Sequence, residues 1–351
     1  MNTVAIAFGA LLALSLRRPE TGVAGGLVFI AVGEFVLAAI PVTPAVAVGA
    51  LVHGCGHGLF WVGVQAALGR RAGEQGSERS FAGQYALYIT GSVCGAAVTG
   101  LTIALLRGWG LGDTSSIRLS FLIGTFAALV ALPSVLGWLR HTPAANVSRP
   151  RPTLLGGLAL QIPALFLVGS MGMLLSLAPV VLSDVFRLRP LVIGLVSGAI
   201  ALAKIGGSLT AGRIAPTAGA RASVGAMLAA SALSVALLVG TSRAWVYVAL
   251  TLSATFFGIG VWPILVDGAL ARVRPDQRPG VTIAWNVREY TAIATTTVVG
   301  GYLLHAAASP NILLVFAAAL LVAGSLSALV VFRSGTFVLE PSAGPQGRAG
   351  C

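Results

Sequence analysis

Seven polar side chains of kinds that bind or move protons and anions lie within long apolar stretches: Glu34, His53, His57, Lys204, Asn286, Arg288 and Glu289. In water such groups are ordinary, but inside a hydrocarbon layer each costs several kcal/mol unless it meets a partner or a cavity, so each is a candidate substrate-binding or proton-binding group. Glu34 lies about 18 Å along its helix by the helical rise. His53 and His57 are spaced i, i+4 and share one helix face. Histidine titrates near physiological pH, which suits proton coupling, and equally suits a hydrogen bond that joins two helices. Arg288 and Glu289 are adjacent and project about 100° apart, so they address different neighbours. Arg288 suits an anionic group or an acidic partner.

The elements that carry these groups follow from composition. The chain has 351 residues, 56% hydrophobic and 9% charged, with a mean hydropathy of +0.92. Soluble domains carry about a quarter charged residues, so the pattern is that of an all-α polytopic membrane protein. With roughly 20 apolar residues needed per crossing, eleven spans are expected. They run at about 2–16, 22–40, 44–68, 82–106, 117–139, 154–182, 191–212, 221–240, 244–270, 280–304 and 310–332. Trp262 and Pro263 mark a bend in the ninth of these.

Arginine placement predicts orientation. Alternate connections hold Arg17 and Arg18; Arg70, Arg71 and Arg79; Arg140, Arg149 and Arg151; Arg213 and Arg221; and Arg272, Arg274 and Arg278, with Arg333 and Arg348 after the last span. The opposite connections hold only Arg107, Arg118, Arg187, Arg189 and Arg243. The positive side is cytoplasmic, so the C-terminus is expected inside and the N-terminus of this chain outside. The net charge of +12 is thereby a topology signal and no nucleic-acid partner is expected. Cys55, Cys94 and Cys351 have no ligand or disulfide spacing, so neither a metal nor a disulfide framework is expected. No HExxH, GxSxG, Walker A or paired-carboxylate motif occurs, which argues against an enzyme.

An internal repeat divides the chain at the polar stretch 140–152. Gly56, Gly58, Ala67 and Leu68 recur as Gly258, Gly260, Ala269 and Leu270, all 202 residues on, and Pro19 and Gly22 recur as Pro216 and Gly219, 197 residues on. Gln65 and Asp267 occupy equivalent places on the two helices. An offset near 200 also predicts about 45 residues, one span and the start of the next, ahead of the present start.

These features resemble the major facilitator superfamily of secondary transporters. The match is best at Ser183 to Phe186, Gly207 to Ile214 and Gly219 to Arg221, similar to the family's Gly-rich, Arg-bearing loop; the first-half counterpart Ser15 to Gly22 lacks the Asp-Arg pair. The resemblance implies a two-bundle fold holding helices two to twelve of a six-plus-six architecture. The expected units are an incomplete N-terminal bundle over 1–140, a cytoplasmic linker over 141–152, a six-helix bundle over 153–335 and a tail over 336–351. It also implies that His53, His57, Lys204 and Arg288 line a central cavity and that Glu34 does not. Arg213 and Asp267, with Gln65 opposite, would form a cytoplasmic gate, against the alternative of solvated interface charges. Gly91, Gly95 and Gly100 resemble the antiporter pattern Gly-xxx-Gly-Pro-xx-Gly-Gly, with Ala96 and Thr99 replacing a proline and a glycine; small residues that merely pack helices give the same spacing.

The expected function is a monomeric, proton-coupled exporter of small amphiphilic or drug-like molecules in the cell membrane, with no cofactor beyond the proton gradient. Alternatives are an importer of a sugar or carboxylate, a membrane enzyme acting on lipid-linked substrates, and a non-transporting membrane protein or non-functional fragment.

Overall fold

A computed structural model describes residues 2–16, 21–40, 42–75, 91, 95, 98–141, 158–270, 278–307 and 309–333. The linker and tail expected at 141–152 and 336–351 lie almost wholly outside them. No strand occurs among the described residues. The first half holds α1 (Asn2–Ser15), α2 (Thr21–Ala39), α3 (Thr43–Gln75), α4 (Val98–Gly108) and α5 (Asp113–His141). The second holds α6 (Leu158–Val180), α7 (Pro190–Ala218), α8 (Ala220–Leu238), α9 (Ala244–Gly260), α10 (Trp262–Leu270), α11 (Arg278–Ala307) and α12 (Pro310–Arg333). A single π-helical turn over Val181–Val185 continues α6.

Among the described residues, eight helical segments are long and apolar enough to cross a membrane, with α9 and α10 counted as one. Helix α11 has the length, 30 residues, but is not among the eight. Its apolar run is interrupted by Thr282, Asn286, Arg288, Glu289, Thr291 and the threonines 295–297, so its polar side chains depend on neighbouring helices for partners.

The helices pack as two halves with parallel plans. In the first, α3 packs on α1 and α2, and α2 packs on α5; in the second, α9 packs on α7 and α8, and α8 packs on α12. Glycine makes the tightest of these crossings possible. A Cβ on Gly58 of α3 would run into the Ile6 carbonyl of α1 and lie 2.7 Å from the Ala10 nitrogen, and one on Gly260 of α9 would lie 2.7 Å from the Gly207 backbone of α7. Gly58 and Gly260 are the pair that the 202-residue offset matches. Lipid tails are as apolar as leucine, so close backbone approach and dispersion, more than water exclusion, hold such crossings together.

Hydroxyls add further ties in the second half. Ser170 of α6 donates to the Ala317 carbonyl of α12 at 2.8 Å, Thr296 of α11 to the Gly169 carbonyl of α6 at 2.8 Å, and Ser231 of α8 to the Ala254 carbonyl of α9 at 2.8 Å. One buried cluster runs through this half, from Leu167 and Met171 on α6 to Leu321 on α12. Helix α5 packs mainly on α2 and leaves Phe126 and Val130 more than half exposed, which costs nothing toward lipid.

The halves meet where α11 lies against α1 and α3. Ala10, Ala13, Leu59, Val62 and Ile283 form a small buried cluster there, flanked by Val287 and Tyr290. A second crossing brings Gly100 of α4 to Gly194 of α7, where a Cβ would lie 3.4 Å from the Gly194 Cα.

Candidate functional site

The most concentrated polar structure lies where α6, α10 and α11 converge, and it begins with a proline. Pro263 has no N–H to return to the Ile259 carbonyl, so one bond of the helical ladder is lost in the ninth span and the helix is weakened there. It divides at Val261 into α9 and α10, in line with the bend expected at Trp262 and Pro263. The interruption presents Trp262 toward α11. Its Nε1 donates to Glu289 Oε1 at 2.6 Å, and Trp285, one turn before Glu289, donates its own Nε1 to the same oxygen at 2.6 Å. Glu289 is only 7% exposed. Burial of a carboxylate is costly unless donors replace the lost water, and two indole N–H groups supply that replacement.

Gln161, in the first turn of α6 and fully buried, ties this centre together. Its Nε2 donates to the Trp285 carbonyl at 2.9 Å, and its Oε1 accepts a short hydrogen bond from Arg288 Nη1. Arg288 and Glu289 therefore turn to different neighbours. Asn286 is 2% exposed and donates to the Thr282 carbonyl within α11 at 2.7 Å. Gln161 and Trp285 were not singled out from the sequence. Their signals were a lone amide in an apolar helix and an indole four residues before a carboxylate.

Arg288 also lines a cavity of about 580 Å³ between α6, α11 and α12, with Ile162, Leu165, Phe166 and Leu320 as its main apolar walls. Pockets of this size hold drug-sized ligands.

In the first half, Glu34 of α2 lies between α3 and α5. His53 Nε2 lies 3.7 Å from Glu34 Oε1, and Glu34 Oε2 is buried without a hydrogen-bond partner. Two glycines make room for this pair. A Cβ on Gly33 would lie 2.5 Å from the His53 backbone nitrogen, and one on Gly124 of α5 would lie 2.5 Å from Glu34 Oε2. His57, one turn along α3, is half-buried. Lys204 on α7 is half-buried and has no hydrogen-bond or ion-pair partner among the described residues.

Of the expected gate, Arg213 is exposed on α7, while Gln65 and Asp267 lie on described helices but their side chains are outside the description. Gly100 meets α7, whereas a Cβ on Gly91 or Gly95 would meet nothing within 4 Å among the described residues. No group of three or more potential metal ligands occurs among the described residues.

The Trp262 hydrogen bond can be measured directly. Trp262→Phe keeps an aromatic ring but removes the donor along with the pyrrole ring, leaving Glu289 with one indole. A hydrogen bond to a charged group contributes about 1.5–3 kcal/mol, so detergent-induced unfolding should shift by that amount, whereas Trp245→Phe at an exposed position should leave it unchanged.

No family model matches the chain, and no curated protein sequence matches it. Solved structures do. A major facilitator superfamily transporter, FucP, in the outward conformation aligns over 93% of this chain and 86% of that one, at 12% identity and a TM-score of 0.63. A variant of the Escherichia coli fucose:proton symporter FucP aligns over 93% and 87%, at 16% identity and a TM-score of 0.63. The proton:xylose symporter XylE, bound to a bromodeoxyglucose, aligns over 95% and 84%, at 14% identity and a TM-score of 0.69. The chain has the all-α fold of the major facilitator superfamily.

Proposed function

We propose that this protein is a secondary transporter that works by alternating access and couples transport to protons. The observation that carries this reading is Glu289, a buried carboxylate held by indoles from two helices at the interruption between α9 and α10. A broken helix with its polar groups turned inward is how transporter folds place ion and substrate sites inside a membrane. Its protonation state bears on both sides of the break, because loss of the carboxylate charge weakens both indole bonds at once. The packing of α11 against α1 and α3 supplies a contact between halves that can rearrange as the halves rock.

Export of small amphiphilic molecules is the direction we favour. Its support is the weakly charged composition and the partial glycine pattern at 91–100. Import of a small polar solute is the second reading, favoured by the structural neighbours described as fucose and xylose symporters. Everted membrane vesicles with an inward-acidic pH gradient separate the two. An exporter accumulates amphiphilic dyes there in a manner abolished by a protonophore. Accumulation of a sugar or carboxylate only in right-side-out vesicles supports import, and no gradient-dependent flux of any compound contradicts transport.

A further inference from the structure

We propose that the groove between α6, α11 and α12 is a binding site for an anionic phospholipid, whose head engages Arg288 and whose chain lies along Ile162, Leu165, Phe166 and Leu320. This site adjoins the Glu289 centre through Gln161, which bonds both Arg288 and the Trp285 carbonyl, but its occupancy does not depend on what the protein transports.

The groove faces outward. On α11 the contact with the other half is made by Ile283, Val287 and Tyr290, and Arg288 and Thr295 project about 110–130° away from the centre of that stripe. The same side carries Thr295, exposed, and Tyr302 at 71% exposure. In a chain that spans a membrane, that side meets acyl chains. Its walls fit them: an apolar floor from α6, Leu320 from α12, and Ala292 from α11.

Charge selects the head. Arg288 contributes the guanidinium of the groove, and Gln161 orients it through the Nη1 to Oε1 hydrogen bond. A planar guanidinium with its fork of donors matches a phosphate oxygen pair. Depth selects the source. Gln161 opens the apolar run of α6, so Arg288, hydrogen-bonded to it, lies in the half of the bundle next to the Arg-bearing stretch 140–152. Arginine stems near span ends extend along apolar surface toward the lipid headgroups. The head of a lipid in that leaflet is within reach of Arg288 while its chain occupies the groove, and a small soluble anion would leave the apolar floor uncovered.

The test is lipid retention by the purified full-length protein, read by native mass spectrometry after exchange into phosphatidylglycerol or phosphatidylcholine of matched chains. Phosphatidylglycerol should be retained at least fivefold more than phosphatidylcholine. Arg288→Gln should reduce its retention about tenfold without changing that of phosphatidylcholine, and Thr295→Trp, which fills the groove and keeps the charge, should reduce retention of both. Circular dichroism and size exclusion confirm that each variant is folded; if Arg288→Gln is not, Thr295→Trp decides alone. Equal retention of the two lipids, or unchanged retention in a folded variant, overturns the proposal. So does Arg288-dependent binding of decanoate that phosphatidylglycerol does not displace, which would make the occupant a soluble organic acid.

Discussion

Glu289→Gln is expected to reduce pH-driven accumulation of substrate by at least tenfold while substrate exchange without a gradient continues. Glutamine keeps the carbonyl oxygen that accepts from Trp262 and Trp285, so the α10–α11 junction retains its shape. What it loses is the capacity to gain and release a proton, and a transporter whose coupling group cannot titrate still equilibrates substrate but cannot concentrate it. Glu289→Ala is a different experiment. It removes the acceptor that both indoles share, leaving the buried Trp285 to lose its bond at about 1–3 kcal/mol, and should lower both stability and exchange. Separate measurement of accumulation and exchange in the two variants distinguishes coupling from packing. If Glu289→Gln accumulates substrate as the unmodified protein does, Glu289 is not the coupling group.

Gly58→Leu and Gly260→Leu should each destabilise the protein by at least about 3 kcal/mol, the upper range for overpacking. At both positions the obstacle is backbone, which cannot rotate aside as a side chain can: the Ile6 carbonyl and Ala10 nitrogen in one half, the Gly207 backbone in the other. Gly58→Leu should do more than destabilise. It pushes α3 from α1, and those two helices together carry the cluster that meets α11, so transport should fall along with folded yield. Gly212→Leu is the control, since it is exposed on α7 with open space around it. The recovery of monodisperse protein and its thermal midpoint are the measurements, and a midpoint for Gly260→Leu within error of Gly212→Leu would show that the crossings can part without cost.

Those two glycines also show how far the sequence could be read. Gly58 and Gly260 emerged from a fixed offset, and the structure places both at equivalent crossings. Their partners on α1 and α7 did not emerge, because the backbone that a glycine meets depends on how two helices cross. The interruption at Val261 was legible from Trp262 and Pro263, a local property of the chain. Glu289 stood out because a carboxylate in an apolar run is conspicuous. Its clamp was half visible, since Trp285 precedes it by one turn; Trp262 belongs to another helix and was brought there by tertiary packing. Likewise, Glu34 and His53 are separate features of the sequence, and the α2–α3 crossing at Gly33 places them 3.7 Å apart. Arg288 is an anion-binding candidate by its type alone; its hydrogen bond to Gln161 and its place in the lining of the groove beside α12 depend on how α6, α11 and α12 pack.

The most direct test of proton-coupled transport uses proteoliposomes with a pH-sensitive dye trapped inside, no initial pH gradient, and a gradient of a compound that the vesicle experiment shows to accumulate. Coupling is reciprocal, so the substrate gradient alone should drive a change of internal pH that a protonophore dissipates and Glu289→Gln abolishes. Substrate flux at the normal rate with no movement of protons would contradict the account.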